Sequence, residues 1–288
     1  MNHHVWTSWS LPPPVLVGLA ATAWAYARGV QTLWRGDRHR GIAGWQVASF
    51  TGGFLALFVA LVSPLHPVSS ELLWVHMVQH VLLVLVAAPL IVLGAPLVPM
   101  TLALPPSWRR RIRLWGRIRW LRSTSRFLTR PIVAWVLSVA ALWAWHAPGL
   151  YDAAVRNDGI HALEHMSFLA TAILFWWVAI RPGPHRRVSG GSDVLYVFTA
   201  GIQSGALGAV LTFAGSPLYP AYVHSVARWS LSPLQDQQLA GLIMWIPAGL
   251  IYMGAAGALF VRWLLTMERE ARRAEGRTGS LGLLGERP

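Results

Sequence analysis

Three short runs in the sequence place histidine where helical geometry makes it useful: His76-Met-Val-Gln-His80, Trp145-His146-Ala-Pro148 and His161-Ala-Leu-Glu-His165. Residues four apart share one helix face, so each His-x-x-x-His pair can present two imidazoles in one direction. Imidazoles converging from two helices suit a transition-metal ion, and a nearby thioether points to copper, particularly cuprous copper. Met77 and Met166 adjoin the pairs, while Asp236, Ala240 and Met244 fall on one helical stripe. The candidate metal set is therefore His76, His80, His146, His161, His165, Asp236 and Met244, with copper the expected ion and zinc or haem behind it. Facing histidines can also ligate haem iron axially. Two ligands on one face of one helix favour a compact ion site instead.

Blander roles stand beside these. A lone interfacial histidine is usually a satisfied polar group, which fits His3, His4, His66 and His224. Methionine fills gaps in any apolar core, and Asp236 suits a helix N-cap. The run His161-Ala-Leu-Glu164-His165 also matches the inverted zinc-protease pattern H-x-x-E-H. That chemistry needs a further carboxylate on the same side; downstream of Glu164 the glutamates lie in the cytoplasmic tail and only Asp236 could substitute, so a protease is set aside.

Apolar segments must position these residues. The chain has 288 residues, 55% apolar and 12% charged, with 17 Trp and no Cys. Charged residues in soluble domains run near a quarter, so a membrane protein is expected. Spans need about 20 apolar residues, and seven are read: roughly 15–34, 42–63, 72–93, 132–146, 160–180, 194–213 and 239–265. The fourth is short and could extend back through Phe127; the last can run on as one helix. No basic residue precedes the first apolar run, so no cleaved signal peptide is expected.

Arginine supplies all 24 basic residues. The absence of lysine excludes Schiff-base chemistry, including retinal attachment. Arg35, Arg38 and Arg40 lie in the first connection, nine arginines from Arg109 to Arg130 in the third, three more in the fifth and five in the C-terminal tail. The alternate loops hold only Arg156 and Arg228. Lys/Arg excess marks cytoplasmic loops, which predicts an all-α bundle of seven transmembrane helices, N-terminus outside and C-terminus in the cytoplasm. Residues 1–268 form the membrane domain and 269–288 a flexible cytoplasmic tail. Residues 105–130, with Trp108, Ile112, Trp115 and Ile118 at helical spacing, form a basic amphipathic connection suited to anionic lipids at the inner leaflet. The net charge of +13 is thus accounted for by topology, without a nucleic-acid partner. On this topology nine histidines (all but His39 and His185) fall on or near the outer face.

Longer motifs surround the histidines. His76-Met-Val-Gln-His80 continues through Ala88-Pro89-Leu90 to Gly94-Ala-Pro96. Asp236-Gln-Gln-Leu-Ala-Gly-Leu-Ile-Met-Trp245-Ile-Pro247 follows Pro217-Leu-Tyr-Pro-Ala-Tyr222. Together with Trp145-His146-Ala-Pro148 and the His161/His165 pair, they resemble the caa3-type cytochrome c oxidase assembly factors, from roughly Ile42 to Arg262. The resemblance implies a multi-pass protein of the bacterial inner membrane that acts in maturation of the terminal oxidase, not an enzyme, with a link to copper handling. Oxidase subunits and an extracytoplasmic copper carrier are the implied partners. A haem-binding redox protein and a copper or ion transporter are the alternatives. A transporter should carry polar groups through to the inner side, where here Gln203 and Ser138 are exceptions in apolar surroundings.

Overall fold

A computed structural model of the chain describes residues 9–35, 41–180 and 190–285, with side chains as far as Arg273 except at Gly190. His3, His4, His39 and His185, and the arginines at 38, 40, 181, 186 and 187, lie outside the described residues. Among those described, regular structure is entirely helical.

Helix α1 (Pro13–Leu33) is followed by α2 (Gly44–Val62) and the short α3 (Leu65–Ser69). The third apolar segment is α4 (Leu73–Val81), a π-helical stretch (Leu82–Ala87) and α5 (Ala88–Leu93). Pro89 accounts for the wide turn: its ring would clash with the carbonyl of Leu85, four residues earlier, in a regular α-helix. Trp176 donates from Nε1 to the Val84 carbonyl at 2.9 Å, giving a partner to the loosened ladder. Short α6 (Leu97–Ala103) packs on α1. Then come α7 (Pro106–Trp115), α8 (Arg119–Leu128), α9 (Pro131–Trp145), α10 (Pro148–Arg156), α11 (Asp158–Ile180) and α12 (Gly190–Phe213), with α13 (Pro233–Gly285) last.

Five of these helical stretches are long and apolar enough to cross a membrane: Gly44–Val62, Leu73–Leu93, Asp158–Ile180, Gly191–Phe213 and Pro233–Arg273. The chain is a multi-pass helical membrane protein. Length and apolarity thus account for five spans, or six if α8 and α9 count as one, against the seven expected. Helix α1 is continuous, but Arg28, Gln31 and Thr32 near its end lower its apolarity. The fourth expected span does not extend straight back through Phe127, because α8 and α9 meet at a bend of 68°. Arg130 precedes Pro131 and is extended (φ −67°, ψ 132°), the conformation that a following proline favours.

The last helix runs on as expected and continues to Gly285. Glu268 and Arg272 pair at 2.6 Å along its exposed side. In the 105–130 connection, α7 and α8 bury no side chain, and Trp108, Trp115, Trp120 and Phe127 are exposed beside the arginines.

Helices α12 and α13 form the most extensive helix pair. At their crossing a Cβ on Gly208 would come within 2.8 Å of the Gly241 carbonyl, so only glycine permits the approach. Toward the arginine-rich end the core is Leu85, Phe175, Trp176, Tyr196 and Tyr252. Toward the histidine-rich end it is Leu73, Met77, Tyr151, Tyr219, Tyr222 and Met244.

Candidate metal centre

Helix α4 carries His76 and His80 on one face, and α11 carries His161, Glu164, His165 and Phe168 on the face turned toward it. The ligand atoms of His76, His80, Glu164 and His165 all lie within 4.8 Å of one another, and all four residues are buried. His76 Nε2 stands 2.9 Å from His80 Nε2. The Glu164 carboxylate lies 3.5 Å from His76 Nε2 and 3.6 Å from His80 Nε2.

Tyr222 fixes which nitrogen of His76 faces the centre. Its hydroxyl donates to the Ser69 carbonyl at 2.9 Å and lies 3.0 Å from His76 Nδ1. A phenol has one proton, and burial holds that proton by pushing the Tyr222 pKa well above its ordinary value. With the proton committed to Ser69, the oxygen accepts from His76 Nδ1–H. In the neutral ring the Nε2 lone pair then points at His80 and Glu164. Both Glu164 oxygens, His80 Nδ1, His161 Nε2 and His165 Nε2 are buried without a hydrogen-bond partner among the described residues. Buried polar groups are normally paired. The unpartnered Glu164 oxygens and His165 Nε2, grouped with the His76 and His80 Nε2 pair, are what a cation would satisfy, and three imidazoles with a carboxylate match the nitrogen and oxygen donors of divalent zinc or copper. The donor set therefore fits a metal ion.

The other predicted residues are placed as follows. His161 lies beside the centre, its ring tilted against those of His165 and His76 at 4.2 and 5.0 Å between centroids. His66 lies parallel to His161 at 5.5 Å, and burial lowers its pKa, keeping the ring neutral. His146, at the end of α9, is 5.8 Å from His80 between centroids and faces Met77. Met244 lines a cavity of about 50 Å³ together with His80 and His146. Asp236 is used elsewhere: its two oxygens accept the Leu73 and Trp74 backbone N–H groups at 2.9 and 3.0 Å, capping α4 from a distant helix. Gln237 accepts the Leu218 N–H at 2.6 Å, holding the loop that carries Tyr219 and Tyr222.

Two contributors escaped the candidate set. Glu164 lies one turn from His161 on the same face, and H-x-x-E-H was its signal. Tyr222 lay in the Pro217–Tyr222 motif, but its contact with His76 spans 146 residues of sequence. Tyr222→Phe is expected to release the His76 tautomer and weaken metal binding about 10- to 100-fold, the usual effect of losing a partner behind a ligand. Equilibrium dialysis of the purified variant checks this; unchanged affinity would show that another contact orients His76.

Helical spans around a buried histidine–carboxylate cluster define a multi-pass membrane protein with a candidate metal site. The chain belongs to the cytochrome c oxidase caa3 assembly factor family, which it matches over residues 24–266. It is 28% identical over 304 aligned positions to uncharacterized proteins of Mycobacterium bovis and Mycobacterium tuberculosis, covering 94% of this chain and 45% of each relative. An uncharacterized protein of Mycobacterium leprae is 26% identical over 238 positions, covering 80% of this chain and 36% of that protein. The chain thus spans less than half the length of these relatives. No solved structure matches it.

Proposed function

We propose that this protein serves cytochrome c oxidase assembly by holding a copper ion transiently at the His76/His80/Glu164/His165 centre, on the outer side of the bacterial inner membrane. The observation that carries this reading is four convergent, buried ligand residues whose ligand atoms lie within 4.8 Å of one another, with the Glu164 oxygens and His165 Nε2 lacking a hydrogen-bond partner. Family membership supplies the oxidase as destination. The arginines of α7 and α8, exposed at the end of the bundle opposite the centre, support the outward placement of the histidines. An extracytoplasmic copper carrier would load the centre, oxidase subunits would receive the ion, and anionic lipids would hold the basic connection.

The packing favours an ion over haem: the ligand atoms of His76, His80, Glu164 and His165 all lie within 4.8 Å of one another, a compact four-residue group rather than two ligands facing each other across a macrocycle. A transport route is also disfavoured, since Ser138 and Ser204 reach only the small cavity under His80 and His146, and buried Phe175 and Trp176 belong to the core beyond it.

The test replaces His76 and His80 together with Ala. Copper should be lost from purified protein that is inserted at normal levels, and oxidase activity in the same membranes should fall with it. Unchanged copper content would return these histidines to ordinary buried packing.

A further inference from the structure

We propose that His146 and Met77 form a second, sulfur-containing subsite that takes a soft monovalent ion, cuprous copper or silver, beside the four-residue centre. The inference rests on reading that centre as metal-handling, and adds a donor set of different chemistry.

His146 Nδ1 lies 2.7 Å from the Leu142 carbonyl oxygen. A carbonyl only accepts, so Nδ1 carries the hydrogen and the Nε2 of the neutral ring carries a lone pair. That lone pair faces Met77 Sδ at 3.5 Å. A thioether has no hydrogen to donate. Two acceptors therefore face each other, with His146 4% and Met77 0% exposed. Such a contact gains nothing as a hydrogen bond, whereas a soft cation bound by both atoms would satisfy both lone pairs. Imidazole with thioether suits the cuprous ion, while the three imidazoles and carboxylate next door suit a divalent one. Met244 lines the cavity of about 50 Å³ that His146 and His80 share, so a second thioether borders the space through which an ion would be exchanged. The alternative arrangement is a protonated His146 donating to Met77, with no ion involved.

The experiment uses the full chain in detergent, with Cu(I), Ag(I) and Zn(II) as probes. X-ray absorption of the Cu(I)-loaded wild type should show a sulfur scatterer. That scatterer should vanish in Met77→Leu, a volume-conserving change that cores tolerate. Ag(I) affinity should fall at least about tenfold in the same variant, since even a partner behind a ligand is worth that much, while Zn(II) binding stays unchanged. No sulfur scatterer in the wild type overturns the subsite, whatever the variant does; so does Ag(I) affinity that survives Met77→Leu. Wild type that binds Zn(II) without sulfur-bound Cu(I) leaves the four-residue centre standing and removes only the subsite. Sulfur-bound Ag(I) in wild type that takes no divalent ion supports the subsite and overturns the centre.

Discussion

Glu164→Gln is expected to abolish tight metal binding while making the metal-free protein more stable. The two effects have one cause. Glu164 is fully buried, and neither carboxylate oxygen has a hydrogen-bond donor among the described residues. A buried carboxylate without compensation costs several kcal/mol, and it persists where something else needs the charge. A glutamine of the same shape removes the charge and offers hydrogens to neighbouring imidazole nitrogens. The metal-free form should gain about 1–3 kcal/mol, the scale of one polar group no longer left unsatisfied. Affinity for a divalent ion should drop at least about 100-fold, the upper end of what partners behind a ligand contribute, because a ligand charge itself is lost. Thermal unfolding of metal-stripped protein and metal retained after dialysis measure the two sides. Lower stability in the stripped variant would mean that hydrogen donors already satisfy Glu164. Unchanged metal retention would remove Glu164 from the centre.

Asp236 is expected to behave in the opposite way: its loss should weaken the fold and spare the metal stoichiometry of whatever protein folds. Each carboxylate oxygen accepts one backbone N–H from the start of α4. Asp236→Ala leaves both unpaired, at about 1–3 kcal/mol for the buried Leu73 N–H and less for the part-buried Trp74 N–H. Asp236→Asn keeps one acceptor but turns an NH2 group toward the other N–H, so stability should fall in the order wild type, Asn, Ala. An ordinary N-cap would treat Asn and Asp as near equals, and this double cap does not. Protein level and metal per folded molecule separate the roles. A folded Asn variant devoid of metal would place the carboxylate at the centre after all.

The histidine faces were legible because four-residue spacing is a local rule of helix geometry. Glu164 obeys the same rule, one turn from His161. Its H-x-x-E-H motif points first to protease chemistry, and the absence of that reaction does not remove a ligand. Asp236 was legible as a cap, yet the helix it caps lies 163 residues earlier in sequence, beyond any spacing argument. The span count rested on apolar runs and arginine alternation. The bend at Arg130–Pro131 and the polar end of α1 make those two segments differ from the rest.

Helix α9 has 15 residues and so rises only about 22 Å, against a hydrocarbon core of about 30 Å. A bilayer meeting it must be pinched or left with unmatched acyl chains, at a fraction of a kcal/mol per Å. On α8, which meets α9 at the bend, the exposed amphipathic Trp120 and apolar Phe127 are available to fill that shortfall. His146 caps the other end of α9, so the same mismatch draws the water boundary down toward it. Membrane thickness then becomes a variable of this protein's chemistry, and short-chain lipids should favour access to His146 where long-chain lipids bury it.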